Sequence, residues 1–495
     1  MRQITIFWLV IPAIAAGLLS CDNSSQGTGV GSIFVESAPE GASVSIDGQP
    51  TGEKTPAMIL RVKAGMRSVS LSDGRHRPYV DTVKVERGKT ALLNVDLSIT
   101  LEITSQPQGA SVWIDGQPSG LVTPAFIDHL ERQGRYIDQP MMIRLVAAGR
   151  LPWETTWALS LGEKKVLNLE MEPAPNLLVS YTMANSSTTV GDTIWSAPLD
   201  GTAPTPFVLG AAGTDGQVAW SPDGQLLAFS VLNGFAVVAG DGALKLRDGR
   251  GPSAARDFCW SATSSSFVFA WCPSAIQLYS VATNSRRGIA PYYSDPHRCP
   301  HNPTFSPDEA QVAYVEHLDF YGATVRIITL PNTLAIEDGR IITPSLVTSY
   351  SNEDLDLAWT SDSTLLFKAM CSTQSCQLKG IYSLKIPPVG ARLAQPTNVV
   401  GGLSPQILSV STDRQAVAIV AGDRLSVGSP DNPGASAACF SKSEIRSVAW
   451  TPDDNLVCYA YDGIWYVTRG CKAYRIVVFP EQSHSSAGCV SVRRL

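Results

Sequence analysis

A short stretch near the middle of the chain concentrates side chains that bind transition metals. Residues 295–301 read DPHRCPH, which places His297, Cys299 and His301 at alternate positions, with His317 following. Imidazole and thiolate ligands suit divalent transition metals. The alternative is an ordinary loop, because two prolines stiffen the stretch and no further ligands can be assigned from elsewhere. We therefore predict no catalytic residue and no cofactor, and keep His297, Cys299 and His301 as candidate metal ligands.

The motifs of several common enzyme classes are absent from the sequence. It contains no GxSxG elbow, HExxH helix, phosphate-binding P-loop or dinucleotide fingerprint. The formal net charge of -6 argues against a basic stripe that could hold a nucleic acid. We therefore expect neither an enzymatic activity nor a nucleic-acid partner.

Ten cysteines are present, and nine of them follow Cys21. Cys371 and Cys376 flank a predicted hairpin turn (CSTQSC) and form a candidate disulfide across it. An odd number after Cys21 leaves at least one thiol free or paired between molecules. Further pairings stay open: Cys259 with Cys272, and two pairs among Cys439, Cys458, Cys471 and Cys489.

The first 20 residues predict an export signal, because Arg2 precedes an apolar run over 4–19 that is slightly short for a membrane span. Leu18-Leu19-Ser20-Cys21 resembles a bacterial lipobox. The resemblance implies cleavage before Cys21, whose thiol would carry a lipid. Residues 21–31 would then be the lipidated cysteine and a flexible tether, in which ten residues reach roughly 18 Å. The alternative is an ordinary signal peptide in which Cys21 is incidental.

The next region contains an internal duplication. Residues 37–57 (SAPEGASVSIDGQPTGEKTPA) and 105–125 (SQPQGASVWIDGQPSGLVTPA) are nearly identical in pattern. Asp-Gly after an alternating run predicts a hairpin in each copy. Both copies resemble the PEGA module, which implies small β-sandwiches at 32–98 and 99–172 of a kind common in bacterial envelope proteins. The second copy has Gln108 where the first has Glu40.

A different repeat follows, and its best copy is 218–230 (VAWSPDGQLLAFS). Strand, tight turn and strand fill these letters, with Ser221-Pro222-Asp223-Gly224 as the turn. Decayed copies recur about 40 to 55 residues apart, which predicts a four-stranded blade for each. The copies begin at residues 258, 303, 357, 408 and 448.

The ends of this region predict a closed ring. Residues 176–183 read as a second strand that lacks its first, and 489–493 at the C-terminus could supply that first strand. We favour seven blades, with six as the alternative. We interpret the aspartates of the turns as turn residues and not as metal ligands: Asp223, Asp308, Asp362, Asp413 and Asp453. The repeats resemble those of TolB-like propellers, and we assign 173–495 to such a domain.

Together these patterns predict an all-β protein with two small β-sandwich modules and a β-propeller. The expected function is that of a non-enzymatic, lipid-anchored protein of the cell envelope. Its propeller would bind an envelope protein or a cell-wall polymer, and its modules would form a spacer or adhesive stalk. The alternative is a metal-dependent, polysaccharide-active enzyme, for which oligogalacturonate lyases offer a precedent of similar fold, with a site near His297 and His301. The sequence leaves open which membrane holds the protein.

Overall fold

A computed structural model of the protein describes residues 29–74, 77–127, 139–183, 192–212, 217–249, 255–271, 275–290, 300–318, 322–330, 340–343, 356–369, 380–388, 391–402, 405–434, 438–479 and 489–495. Every regular element within these residues is a β-strand, and none of them forms a helix that could span a membrane. The predicted all-β class is confirmed. Several predictions concern residues outside the described ranges, namely the export signal, Cys21, His297, Cys299, Cys371 and Cys376.

The first module is built from two small sheets. Strand β1 pairs antiparallel with β4 and parallel with β7, and the second sheet has the order β3-β2-β5-β6. Its buried side chains include Ile33, Val35 and Leu71. The strands are β1 (Val30–Ala38), β2 (Ser43–Ile46), β3 (Gln49–Lys54), β4 (Ala57–Lys63), β5 (Gly65–Ser72), β6 (Tyr79–Val85) and β7 (Thr90–Asp96).

The second module repeats this strand order as β11-β8-β14 and β10-β9-β12-β13. Its strands are β8 (Thr100–Gln106), β9 (Ser111–Ile114), β10 (Gln117–Val122), β11 (Ala125–Ile127), β12 (Met141–Val146), β13 (Trp153–Trp157) and β14 (Lys164–Glu170). The duplication in sequence is therefore a duplication in fold.

Matching hydrogen bonds explain why the repeated letters recur. In the first module the Thr55 hydroxyl accepts from the Ala42 amide at 3.0 Å, and in the second the Thr123 hydroxyl accepts from the Ala110 amide at the same distance. Asp47 and Asp115 adopt φ values of 49° and 48°, as expected in a tight hairpin turn. The predicted Asp-Gly hairpins are confirmed.

The chain divides into two compact units. The first comprises the described residues of Met1–Glu102, Phe126–Pro140 and Ala158–Lys165, and the second those of Ile103–Ala125, Met141–Trp157 and Val166–Leu495. The predicted domain boundaries at 98/99 and 172/173 stay predictions.

The larger unit contains the propeller, whose described residues form seven four-stranded sheets. Their orders are β17-β16-β15-β42, β18-β19-β20-β21, β22-β23-β24-β25, β26-β27-β28-β29, β30-β31-β32-β33, β34-β35-β36-β37 and β38-β39-β40-β41. The strands are β15 (Leu177–Met183), β16 (Asp192–Pro198), β17 (Thr205–Ala212), β18 (Val218–Trp220), β19 (Leu226–Val231), β20 (Gly234–Ala239), β21 (Leu244–Asp248), β22 (Arg256–Trp260), β23 (Ser266–Trp271), β24 (Ala275–Ser280), β25 (Ser285–Gly288), β26 (Pro300–Phe305), β27 (Gln311–Leu318), β28 (Gly322–Thr329), β29 (Arg340–Ile341), β30 (Leu357–Ser361), β31 (Thr364–Ala369), β32 (Gly380–Lys385), β33 (Thr397–Gly401), β34 (Pro405–Val410), β35 (Val417–Ala421), β36 (Arg424–Gly428), β37 (Ala438–Ser441), β38 (Ser447–Trp450), β39 (Leu456–Ala460), β40 (Gly463–Val467), β41 (Ala473–Val478) and β42 (Val490–Arg494).

The first strands of these sheets contact one another in cyclic order. Contacts run from β18 through β22, β26, β30, β34 and β38 to β42, and β42 contacts β18 again. The C-terminal strand β42 pairs antiparallel with β15, with Val490 opposite Tyr181 and Arg494 opposite Leu177. The predicted pairing of the two ends is confirmed, while the blade count of the whole chain stays a prediction.

In three of the sheets the tryptophan of the repeat contacts the preceding sheet. Trp220, Trp260 and Trp359 are all buried. Their indole N–H groups donate to the Ser180 hydroxyl at 3.0 Å, the Ala219 carbonyl at 2.9 Å and the Thr304 carbonyl at 3.1 Å, respectively. Because a buried indole needs a partner for its N–H group, each tryptophan both fills the core and aligns neighbouring sheets.

A buried ionic network joins the second module to the last propeller sheet. The Arg144 guanidinium donates to the carbonyls of Arg475 (2.6 Å) and Ile476 (3.3 Å). Glu154 lies between two cations, at 3.4 Å from Arg144 and 2.6 Å from Arg475. Both guanidinium groups are nearly inaccessible to solvent, so Glu154 supplies the counter-charge that makes their burial tolerable.

We predict that Glu154→Ala destabilises the larger unit by about 3 kcal/mol, because it leaves two buried guanidinium groups without this carboxylate. The matched control is Glu172→Ala. Glu172 forms an exposed ion pair with Lys472 at 2.7 Å, whose loss should cost less than about 1 kcal/mol. Urea unfolding followed by tryptophan fluorescence measures both, and equal effects of the two variants would contradict the prediction.

Candidate functional site

Strand direction separates the propeller into two ends. Neighbouring strands in each sheet are antiparallel, so connections from the second to the third strand, and from one sheet to the next, leave at the same end. We call this the loop end, and the opposite end, which carries the Ser-Pro-Asp-Gly turn, the turn end. The longest connection, 342–356, joins strands at the loop end, whereas connections 330–339 and 386–396 lie at the turn end. Loop length alone therefore does not choose between the ends, and we take the loop end as the candidate site because polar side chains meet where its strands begin.

A buried polar group marks the loop end where strands β22 and β26 begin. His301 Nδ1 lies 3.7 Å from Asp257 Oδ2, and the Asn302 amide donates to the same oxygen at 3.0 Å. The Gln217 side chain donates to Asp257 Oδ1 at 3.4 Å and accepts from the Asp257 amide. Burial alone would raise the pKa of Asp257, but these hydrogen bonds and His301 outweigh it and lower that pKa. Asp257 is therefore a carboxylate held in one position.

Two bulges bring these side chains together. The pairing of β22 with β23 shifts register between Arg256 and Cys259, and that of β26 with β27 shifts between His301 and Thr304. Asp257 and Asn302 lie in these bulges with φ values of 57° and 50°. Bulges re-aim side chains and are frequent beside functional sites.

A second charged group occupies the start of β30. Lys368 Nζ lies 3.0 Å from Asp356 Oδ2 and also donates to the Gln406 carbonyl, and the Leu408 amide donates to Asp356 Oδ2 at 3.4 Å. Burial raises the pKa of Asp356, and the negative charge of Asp257 adds to the rise while Lys368 opposes it. Both groups lie at the loop end, because Asp257 and Asp356 each stand where the first strand of a sheet begins.

Apart from His301, the residues of these two groups were not singled out from the sequence, although a signal existed. A polar residue directly precedes the repeat motif in five of its six copies. These five residues are Gln217, Asp257, Asn302, Asp356 and Ser447. The position preceding the motif is thus where the first strands present polar side chains at the loop end.

The arrangement suits recognition of polar groups by hydrogen bonding and charge. Within the described ranges, no three His, Cys, Asp or Glu side chains are grouped as a metal site would require. His301 is buried beside Asp257, whereas His297 and Cys299 lie outside the description. The metal hypothesis for these three residues stays a prediction.

The aspartates of the repeat turns have local roles. Asp223 Oδ1 accepts from the Ser221 hydroxyl at 2.6 Å and from the Gln225 amide at 3.0 Å. The same pattern recurs at Asp308, with Ser306 and Ala310, and at Asp413, with Ser411 and Gln415. The turn interpretation is confirmed for these three aspartates.

The turns also connect neighbouring sheets at the turn end. The Asp223 amide donates to the Ser264 hydroxyl at 3.0 Å, and the Asp308 amide donates to Asp362 Oδ1 at 3.0 Å. Each bond reaches from one turn to the turn of the next sheet. Hydrogen bonds between turns of neighbouring sheets thus stabilise the turn end.

The cysteines pair differently from some of the open expectations. Cys439 is bonded to Cys471, one of the pairings within the predicted set of four. Cys259, Cys458 and Cys489 are free thiols, so Cys259 does not pair with Cys272 and the second pair within the set is wrong. Burial raises the pKa of the Cys458 thiol, which lies in the apolar core between the sixth and seventh sheets. The candidate pair Cys371–Cys376 lies outside the described residues.

Comparison with known proteins identifies one family and a set of related folds. Residues 30–100 match the PEGA domain family. No functionally curated protein matches the chain. Among solved structures, the chain is similar to TolB from Acinetobacter baumannii, at 11% identity and a TM-score of 0.40, over 71% of this chain and 79% of that one.

Two further solved structures illustrate the range of these similarities. One is the β-propeller domain of Cps50 (Swd1) from Myceliophteria thermophila, at 13% identity and a TM-score of 0.40, covering 55% of this chain and 87% of that one. The other is oligogalacturonate lyase from Vibrio parahaemolyticus, at 11% identity and a TM-score of 0.42, covering 62% and 87%. At such identities the similarity concerns the fold, and activity has to be argued from this chain's own residues.

The pKa of Asp413 predicts a pH-dependent contribution to stability. Burial raises this pKa, but the Ser411 hydroxyl, the Gln415 amide and the Arg469 guanidinium, 2.7 Å away, outweigh it and lower the pKa to about 2. Since the folded-state pKa lies below the unfolded value of 3.8, the contribution is present above about pH 4 and is lost as the pH falls towards 2.

We therefore predict that Arg469→Met lowers the free energy of unfolding at pH 6 by about 1 kcal/mol, a value discounted for partial exposure. The difference from wild type should shrink as the pH is lowered from 4 towards 2. Arg446→Met is the control, because Arg446 pairs with the exposed Glu444. A pH-independent loss in Arg469→Met, measured by chemical denaturation, would refute the assignment.

Proposed function

We propose that the protein is a non-enzymatic, lipid-anchored protein of the cell envelope whose propeller binds a protein or cell-wall polymer at the loop end. The observation that carries this proposal is a hydrogen-bonded polar set at the loop end: Gln217, Asp257, His301, Asp356 and Lys368. His301 and Lys368 are buried, and the other three are partly buried. The propeller strands hold these side chains rigidly, and preorganised polar groups favour recognition of a specific ligand.

The N-terminal region supports an envelope location. The match of residues 30–100 to the PEGA domain accompanies the lipobox-like residues before Cys21. The second module shares the strand order of the first, and we propose that it is a second PEGA module. A lipid on Cys21 would concentrate the propeller near a membrane, which raises the effective affinity for partners held there.

Labels placed at the loop end and at the turn end give a direct test of the proposed binding face. Leu232 and Tyr461 are exposed in second-to-third strand hairpins at the loop end, and Leu244 is exposed near the turn end. We predict that a photo-crosslinking amino acid at position 232 or 461 yields adducts in living cells, whereas the same residue at 244 does not. Adducts from 244 alone, or from none of the three positions, would refute the proposed face.

The alternative function is a metal-dependent enzyme that acts on polysaccharides, with His297 and His301 as ligands. The observation in its favour is the carboxylate of Asp257 beside the His301 imidazole, since a carboxylate beside one ring nitrogen commonly orients a histidine that binds metal through the other. Elemental analysis of the purified protein separates the two functions. A stoichiometric transition metal that is lost in His297→Ala would favour the enzyme, and its absence would favour the binding protein.

A further inference from the structure

The outward face of the sheet β4-β1-β7 in the first module carries a group of exposed apolar side chains. Val30, Met58, Leu60 and Leu92 are exposed by 48%, 48%, 67% and 76%, respectively. The register places Phe34 opposite Met58 on one side and opposite Leu92 on the other. Met58, Phe34 and Leu92 thus form a row across the three strands, and Leu60 and Val30 are exposed nearer the start of β1. We call these five residues the apolar face.

The module's core does not need these residues. Ile33 and Val35, which alternate with the residues of the apolar face along β1, are fully buried. Leu93 and Val95 alternate with outward-facing residues along β7 and are also buried. The outward face of such a sheet is usually polar, because it faces water. A contiguous apolar row on it indicates a contact surface.

Charge is unevenly distributed along the apolar face. Where β1 begins, Lys63 pairs with Val30 and Arg87 lies close to Gly29, while Glu86 is paired there with both Lys84 and Lys89. At the far end of β1, Ala38 pairs with Asp96, and Glu36 is exposed. The apolar face is therefore basic at the start of β1 and acidic at the other end.

The basic end is also the end at which the predicted tether enters. Val30 begins β1 and its own side chain lies on the apolar face, nine residues after Cys21. A flexible segment of that length has an r.m.s. span of about 17 Å. A lipid on Cys21 would therefore keep this end of the face within a short distance of the membrane surface.

We propose that the apolar face is a lipid-contact surface, which lies on the anionic bilayer that holds the Cys21 lipid. Exposed Leu and Met side chains next to basic residues are the composition that binds the interface of anionic membranes. The proposal rests on the lipid anchor of the proposed function. The bilayer is the proposed occupant of the apolar face. The test described next would reveal binding of a second copy of the chain or of a wall polymer instead.

The test places an environment-sensitive fluorescent amino acid at Leu92 in the full-length, lipidated protein. The control position is Met66, which is exposed by 61% on β5 of the other sheet. The protein is moved from detergent into vesicles of phosphatidylethanolamine and phosphatidylglycerol that carry a nitroxide-labelled lipid. We expect blue-shifted, quenched emission from position 92 and little change from position 66.

A charge-reversal variant tests whether the basic end of the apolar face lies toward the anionic bilayer. Lys63→Glu should lower the ratio of docked to undocked protein by at least about fivefold, because one basic residue near an anionic surface contributes about that factor. The change should disappear in vesicles of phosphatidylcholine alone. Equal quenching at 92 and 66, or quenching that Lys63→Glu leaves unchanged, would overturn the proposal.

Two further results distinguish a failure of the lipid-contact proposal from a failure of the lipid anchor on Cys21. A blue shift at 92 that grows with protein concentration, without lipid quenching, would identify a second copy as the occupant and overturn lipid contact. Mass spectrometry of the N-terminal peptide reports the lipid on Cys21 independently. If Cys21 carries no lipid, the anchor fails, and quenching at 92 by added anionic vesicles still decides whether the face binds lipid.

Discussion

The pairing of the C-terminal strand β42 with β15 is the interaction on which the propeller depends. Without it, the sheets would form an open array with two exposed edges, and unpaired strand edges favour aggregation. Side chains reinforce the backbone ladder. Arg493 stacks on Trp220 at 4.4 Å and donates to the carbonyls of Gly224 and Gly240, so the last strand is tied to the second sheet as well as to the first. The Leu495 amide donates to the Asn176 carbonyl at 3.1 Å and secures the end of the chain.

Closure gives the two ends of the propeller different properties. At the turn end, short turns use serine and aspartate side chains to satisfy their own backbone and that of the next sheet. At the loop end, the first strands converge and bring charged side chains from different sheets close together. Asp257, His301, Asp356 and Lys368 are held there by hydrogen bonds to backbone and side chains, so their geometry is set by the ring and not by a flexible loop.

The larger unit is more than a propeller, because it includes part of the second module. Arg144 and Arg475 share Glu154 as a counter-ion, and Arg144 caps two carbonyls at the outer strand of the last sheet. Removing Glu154 would leave the buried Arg144 without a carboxylate, whereas Arg475 would keep Asp462 at 3.5 Å.

Much of the fold could be predicted from the sequence, because turns and strand alternation depend on residues that are neighbours along the chain. The Asp-Gly hairpins of both modules, the Ser221–Asp223 turn with its relatives, and the partnership of residues 176–183 with 489–493 all came from local patterns and their repetition. The candidate site could not be predicted from such local patterns. Asp257 and His301 meet only because bulges in two neighbouring sheets turn their side chains toward each other, and Arg144 meets Arg475 only after the second module has docked. Such contacts depend on how sheets pack around a closed ring. By itself, the sequence determined which units the chain forms and where each begins to repeat. The tertiary structure decided which polar side chains those units bring together, because register shifts and the rotation between sheets leave little trace in the local spacing of residues.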